Sequence, residues 1–180
     1  LTLRGAAGEL AARPQESRML KSPPNAGHGE FTIERRYDVP PAKVYAAWSD
    51  PATRAQWFAG PDNWTELARE VDFRVGGRER LHGRFNSGLE TDYEARFHVI
   101  EPERRLVYAY DMRVGGEHHS VSLATVELKG DRGGTKFRYT EQIVFLDGTD
   151  VTKGTVSRKH GTSAHLDRMA AIVDPKPDGT

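Results

Sequence analysis

Cysteine is absent from this chain of 180 residues, which removes disulfides, thiolate metal sites and cysteine nucleophiles together. A chain without cysteine is compatible with a reducing cytoplasm, where the protein is expected. No apolar run approaches the ~20 residues needed to cross a bilayer, so no membrane helix is expected. A surplus of charge is missing too. With 26 basic against 26 acidic side chains, a broad cationic surface for nucleic acid is not expected. The first twenty residues also lack the apolar core of ~7–15 residues that a signal peptide needs.

What is present suits one domain. The hydrophobic fraction is 37% and the aromatic fraction 9%, enough for a single core. Residues 1–29 hold Arg13-Pro14, Ser22-Pro23-Pro24-Asn25 and Gly27-His28-Gly29, with no apolar periodicity between them. They read as a disordered tail, in which Met19 is expected to be the natural start or residues 1–18 to be dispensable. Residues 30–175 form the expected domain, and 176–180 a short C-terminal tail.

Within that domain Phe31, Ile33, Tyr37 and Val39 alternate with polar residues, predicting a strand from Glu30 to Val39. Pro41 then opens one short helix and Pro51 a second, together carrying Trp48 and Trp57. Val71, Phe73 and Val75 alternate with Asp72 and Arg74, predicting a strand from Thr65 to Val75 with Asp72 and Arg74 paired on its outer side. Gly76-Gly77 turns it into a partner over Arg78 to Phe85. Further strands carry Tyr93 and Phe97, then Tyr108 and Tyr110, and finally Phe137, Tyr139 and Glu141. Between them Val121, Leu123 and Thr125 share one face while Val126 and Leu128 are offset, which predicts a bulge. Thr162, Leu166, Met169 and Val173 recur at helical spacing, so a closing helix spans about Val151 to Val173, loosened at Gly154 and Gly161.

In order, Pro40-Pro41-Ala42-Lys43-Val44-Tyr45-Ala46-Ala47-Trp48, Gln56-Trp57-Phe58, Val71 to Gly77, Gly134-Thr135 with Glu141, and Leu166-Asp167-Arg168-Met169 resemble a known family. They are similar to the bacterial relatives of the C-terminal domain of the heat-shock-protein-90 ATPase activator, within the START-like, birch-allergen-like superfamily SRPBCC. The resemblance covers about residues 30–173. It implies an α+β helix-grip fold: a seven-stranded curved antiparallel sheet around the C-terminal helix, with a cavity between them. Relatives often have an aromatic residue after the helix glycine, where this chain has Gly161-Thr162-Ser163.

The residues expected to line that cavity come from every element. They are Trp48 and Trp57 from the short helices, Phe73, Tyr93, Phe97, Tyr108, Tyr110, Phe137, Tyr139 and Glu141 from the strands, and Thr162, His165, Leu166 and Met169 from the closing helix. Each also has an ordinary reading as core. Glu141 is the leading acid–base candidate and His165 the second, although a carboxylate on an inward face needs a cation or hydrogen-bond donors whatever its role. The histidines show no metal spacing: His118 and His119 point to opposite faces, and His160 and His165 are five apart. No glycine pair opens a helix after a strand, so no phosphate loop is expected.

The expected function is therefore binding of a small hydrophobic or aromatic metabolite, with no metal and no cofactor. A cofactor-independent cyclase or hydrolase acting in the same cavity is the alternative. A stress-response role on a chaperone ATPase is expected to be the weakest reading, because the strands' outer faces are polar and residues 1–29 are too few for the chaperone-binding domain of the eukaryotic activators. An exposed edge strand would allow a homodimer.

Overall fold

A computed structural model describes residues 26–175. The first strand, β1 (Gly27–Tyr37), leads to α1 (Pro41–Ser49) and α2 (Pro51–Trp57). Six strands follow: β2 (Trp64–Val71), β3 (Arg78–Phe85), β4 (Glu90–Glu101), β5 (Arg105–Val114), β6 (Glu117–Asp131) and β7 (Gly134–Phe145). Helix α3 (Val151–Val173) closes the chain. The strands form one antiparallel sheet in the order β1-β7-β6-β5-β4-β3-β2. Strands β2 to β7 thus form a meander, and the two short helices carry the chain from one sheet edge to the other. This is the expected helix-grip arrangement.

The helix starts follow from local chemistry. Asp50 and Asp150 each accept the backbone N–H three residues on, from Thr53 at 2.8 Å and Lys153 at 2.9 Å. Helix α3 lies closest to β1 and β7, where its C-terminal half buries Leu166, Met169 and Val173. Each such burial contributes about 1.5–3 kcal/mol. Over β3 to β5 the helix stands away from the sheet, and the gap is a cavity.

Four expectations change. Gly27-His28-Gly29 belong to β1, paired with Phe145, Val144 and Ile143 of β7, and the strand ends at Tyr37 rather than Val39. A side chain at Gly27 or Gly29 would strike Val151 or Thr155 of α3, so these glycines allow helix and strand to approach. Residues 1–25 of the expected tail, and the final five residues, lie outside the described residues.

Strand β2 ends at Val71. Beyond it Gly76, at φ 80°, turns the chain so that the Gly76 N–H reaches the Phe97 carbonyl at 2.8 Å and the Phe97 N–H reaches Gly77. Val75 is left 59% exposed, while Asp72 and Arg74 make the expected surface ion pair at 2.9 Å.

Strand β6 has no bulge near Val126. Its register runs without a shift against β7 from Ser120 to Asp131, with Ser120, Ser122, Ala124, Val126 and Leu128 inward and Val121 and Leu123 facing out. Over Ser120 to Leu123 the strand thus turns two serines inward and Val121 and Leu123 outward. Finally, α3 is unbroken at Gly154 and Gly161.

Candidate functional site

The capped start of α2 sets Arg54 one turn along, facing inward between the helices and β3. There its Nε donates to Glu79 Oε1 at 2.5 Å and its Nη2 to Glu79 Oε2 at 2.6 Å. Both side chains are buried, at 1% and 0% exposure. The guanidinium also lies 4.8 Å from the Trp48 ring, 5.0 Å from Trp57 and 4.5 Å from Phe58. Burial works against the Arg54 charge, but Glu79 outweighs it and holds the group above the usual arginine range.

A second ion pair lies across the cavity. Arg158 of α3 donates through Nη1 to Glu141 Oε1 at 3.1 Å and to the Tyr110 hydroxyl at 2.5 Å, and through Nη2 to Ser120 Oγ at 2.8 Å. Tyr110 in turn donates to Glu141 Oε1, and Tyr139 to Glu141 Oε2 at 2.7 Å. Both oxygens of the buried Glu141 are therefore occupied. The inward serines of β6 now have a reason: they accept from a cation that an apolar strand face would leave unsatisfied.

The cavity between these pairs has a volume of about 240 Å3. Nine of its twenty lining residues are Trp, Tyr or Phe, and all three tryptophans of the chain take part. A wider depression of about 940 Å3 elsewhere is lined by Arg36, Lys136, Arg138 and Glu34, which pair with one another or with Asp131. The smaller, aromatic one is the candidate site.

Burial pushes the phenols of Tyr93, Tyr108, Tyr110 and Tyr139 above their ordinary range, so each remains a neutral hydroxyl. His165 is pushed down to about 4, first by burial and then by Arg168, and is neutral at pH 7. Its Nε2 lies 3.0 Å from the Ala59 carbonyl, which can only accept, so Nε2 carries the proton. Arg168 donates to the carbonyls of Trp57 at 3.0 Å and Ala59 at 2.5 Å. The loop after α2, whose residues 58–61 form the cavity wall, is thus tied to α3.

Nine of the fourteen expected site residues line the cavity: Trp48, Trp57, Tyr93, Tyr108, Tyr110, Tyr139, Thr162, His165 and Leu166. Glu141 stands behind it, joined through Tyr110, Tyr139 and Arg158. Phe97, Phe137 and Met169 lie in the packed core, at 1%, 1% and 0% exposure. Phe73 packs on Phe97 at 5.0 Å and on Tyr45 at 6.2 Å, away from the cavity. Sequence reasoning passed over Arg54, Glu79, Arg158, Ser120 and Ser122. Glu79 shares its strand face with Leu81, and Arg158 stands one helical turn before Thr162, so parity and periodicity marked both as inward. Among the described residues no group of three or more His, Asp or Glu side chains could hold a metal ion.

Fold and site together define a helix-grip protein with an aromatic internal cavity. The chain belongs to the family described as Activator of Hsp90 ATPase homolog 1-like protein, whose model matches residues 38–174. An uncharacterized protein from Rhizobium leguminosarum is 40% identical, with a TM-score of 0.77 over 83% of this chain and 96% of that one. A protein from Rhizobium loti is 39% identical, with a TM-score of 0.74 over 82% and 98%. The AHSA1-like protein from Aeromonas hydrophila, 23% identical with a TM-score of 0.60 over 84% and 99%, shares the fold. No curated protein matches the chain significantly.

Proposed function

We propose that this protein binds a small, mostly apolar and aromatic molecule in the cavity between α3 and β3 to β5. The observation that carries the reading is the wall itself: nine aromatic side chains around about 240 Å3, with two internally paired cations. Kept dry, a hollow of that size would cost about 6 kcal/mol, at roughly 24 cal/mol per Å3. That rivals the 5–15 kcal/mol or so by which a domain is stable, so an occupant is expected. A reducing cytoplasm suits a chain without cysteine.

Binding is preferred to catalysis because neither acid–base candidate is poised. Glu141 has both oxygens engaged, and burial pushes His165 down to about 4, which makes it a weak base near pH 7. Native mass spectrometry of freshly purified protein, followed by titration of hydrophobic metabolites, tests the reading. A retained or saturable small molecule that quenches tryptophan fluorescence and is not turned over is expected. Product formation that disappears in Glu141→Gln would favour a cofactor-independent enzyme. Stimulation of a chaperone ATPase, the activity in the family's name, would favour an interaction protein.

A further inference from the structure

Three of the cavity's lining side chains carry hydrogen-bond donors that no protein group satisfies. Arg54 uses Nε and Nη2 on Glu79, which leaves Nη1 buried without a partner. The Tyr93 hydroxyl is likewise buried and unpartnered, on a residue 6% exposed. Both side chains pack on one ring: the Arg54 guanidinium lies 4.5 Å from the Phe58 centroid, and the Tyr93 ring 5.0 Å from the same centroid. A third orphan, Trp48 Nε1, belongs to the ring 4.8 Å from Arg54. Buried polar groups of this kind are costly unless something accepts from them, and three around one corner call for an acceptor from outside the chain.

The charge of that acceptor follows from the ion pairs. Among the described residues, Arg54 and Arg158 are the only lining residues that carry a full charge, and each is neutralised by a carboxylate behind it, Glu79 and Glu141. His165 adds none at pH 7. An anion entering here would meet no spare positive charge, and burying it uncompensated is strongly unfavourable. We infer that the ligand is electrically neutral and presents a carbonyl oxygen to Arg54 Nη1 and the Tyr93 hydroxyl, its aromatic body resting against the tryptophan and tyrosine rings. This rests on the binding reading above and specifies the chemistry that the site selects.

Three probes with one skeleton test it: 2-acetylnaphthalene, 2-ethylnaphthalene and 2-naphthoate, titrated by calorimetry into the wild-type protein and Tyr93→Phe. A site that hydrogen-bonds its ligand discriminates against an analogue lacking the group. The ketone is expected to bind about ten-fold more tightly than the ethyl compound and at least as far ahead of the carboxylate. In Tyr93→Phe that advantage over the ethyl compound should fall to about three-fold or less, while the melting temperature holds or rises because an unsatisfied hydroxyl has gone. A lowered melting temperature with the ketone's advantage intact would make Tyr93 purely structural and overturn its assignment. Equal affinities for ketone and ethyl compound would mean that water suffices for the donors, and tighter binding of the carboxylate would refute neutrality. If none of the three binds while native mass spectrometry shows a retained molecule, the carbonyl assignment fails and the binding reading stands; if nothing is retained either, the binding reading fails with it.

Discussion

Arg54 and Arg158 show how the same side chain can be placed for different ends. Arg54, with Glu79, lies wholly inside the molecule, so removing one partner leaves the other charged and without water. Glu79→Ala is expected to cost about 3–5 kcal/mol, read from the denaturant midpoint. Asp72→Ala, which breaks a pair left 70% and 52% exposed, should leave the midpoint where it is. His165 supplies the pH dependence. Its folded value of about 4 lies below that of an unfolded imidazole near 6.5, so between these the unfolded chain takes up the proton first. Stability from this residue is complete above about pH 6.5 and falls as the pH drops toward 4, by roughly 2 kcal/mol once partial exposure is allowed for. His165→Gln should flatten that part of a melting-temperature profile. An unchanged slope would place the titration elsewhere. Glu141 was legible from strand parity and the inward position of Arg158 from helical periodicity, but their pairing was not. Arg158 is 17 residues away on another element, and nothing local to either position announces the pair.

Helix α3 and the strands it touches set the second scale, and its two glycines make a contrast. A Cβ on Gly154 would lie 2.8 Å from the Phe145 ring and 2.7 Å from Thr149, against a side chain 1% exposed. Gly154→Ala should therefore destabilise by about 1–3 kcal/mol through overpacking. Gly161 faces open space, and Gly161→Ala should stabilise by up to about 1 kcal/mol through helix propensity. Thermal unfolding of the two variants side by side checks both. In the sequence the two glycines look alike, and both read as loose points in the helix. What separates them is the position of Phe145, which belongs to a different element. The inversion of β6 has the same origin. Its Val121 and Leu123 have the apolar character of inward residues, yet the register against β7 turns Ser120 and Ser122 toward Arg158.

For the whole molecule, the consequence is one sheet with two differently used halves. Strands β1, β7 and β6 share a packed core in which Phe31, Ile33, Val126 and Phe137 are nearly inaccessible. The β3 to β5 half sets Phe85, Tyr93, Tyr108 and Tyr110 around a space, with Tyr110 meeting α3 through Arg158. A ligand held there stabilises the folded state by mass action, about 2.7 kcal/mol at a hundred times its dissociation constant. The melting temperature should therefore rise with ligand concentration, alongside a change in the emission of all three tryptophans. A ligand that shifts one signal without the other is bound outside the cavity.

The order of elements, the seven strands, the closing helix and most of the inward aromatics were determined by the sequence alone. Alternation and helical spacing are local patterns, and each residue's neighbours in the chain are enough to reveal them. The pairing of Arg54 with Glu79 and of Arg158 with Glu141, the face β6 turns inward, and the use of Gly27 and Gly29 as a seat for α3 were decided by tertiary structure. Each depends on two elements meeting in space. The energy of a buried charge or a close backbone contact is set by what arrives from the other side.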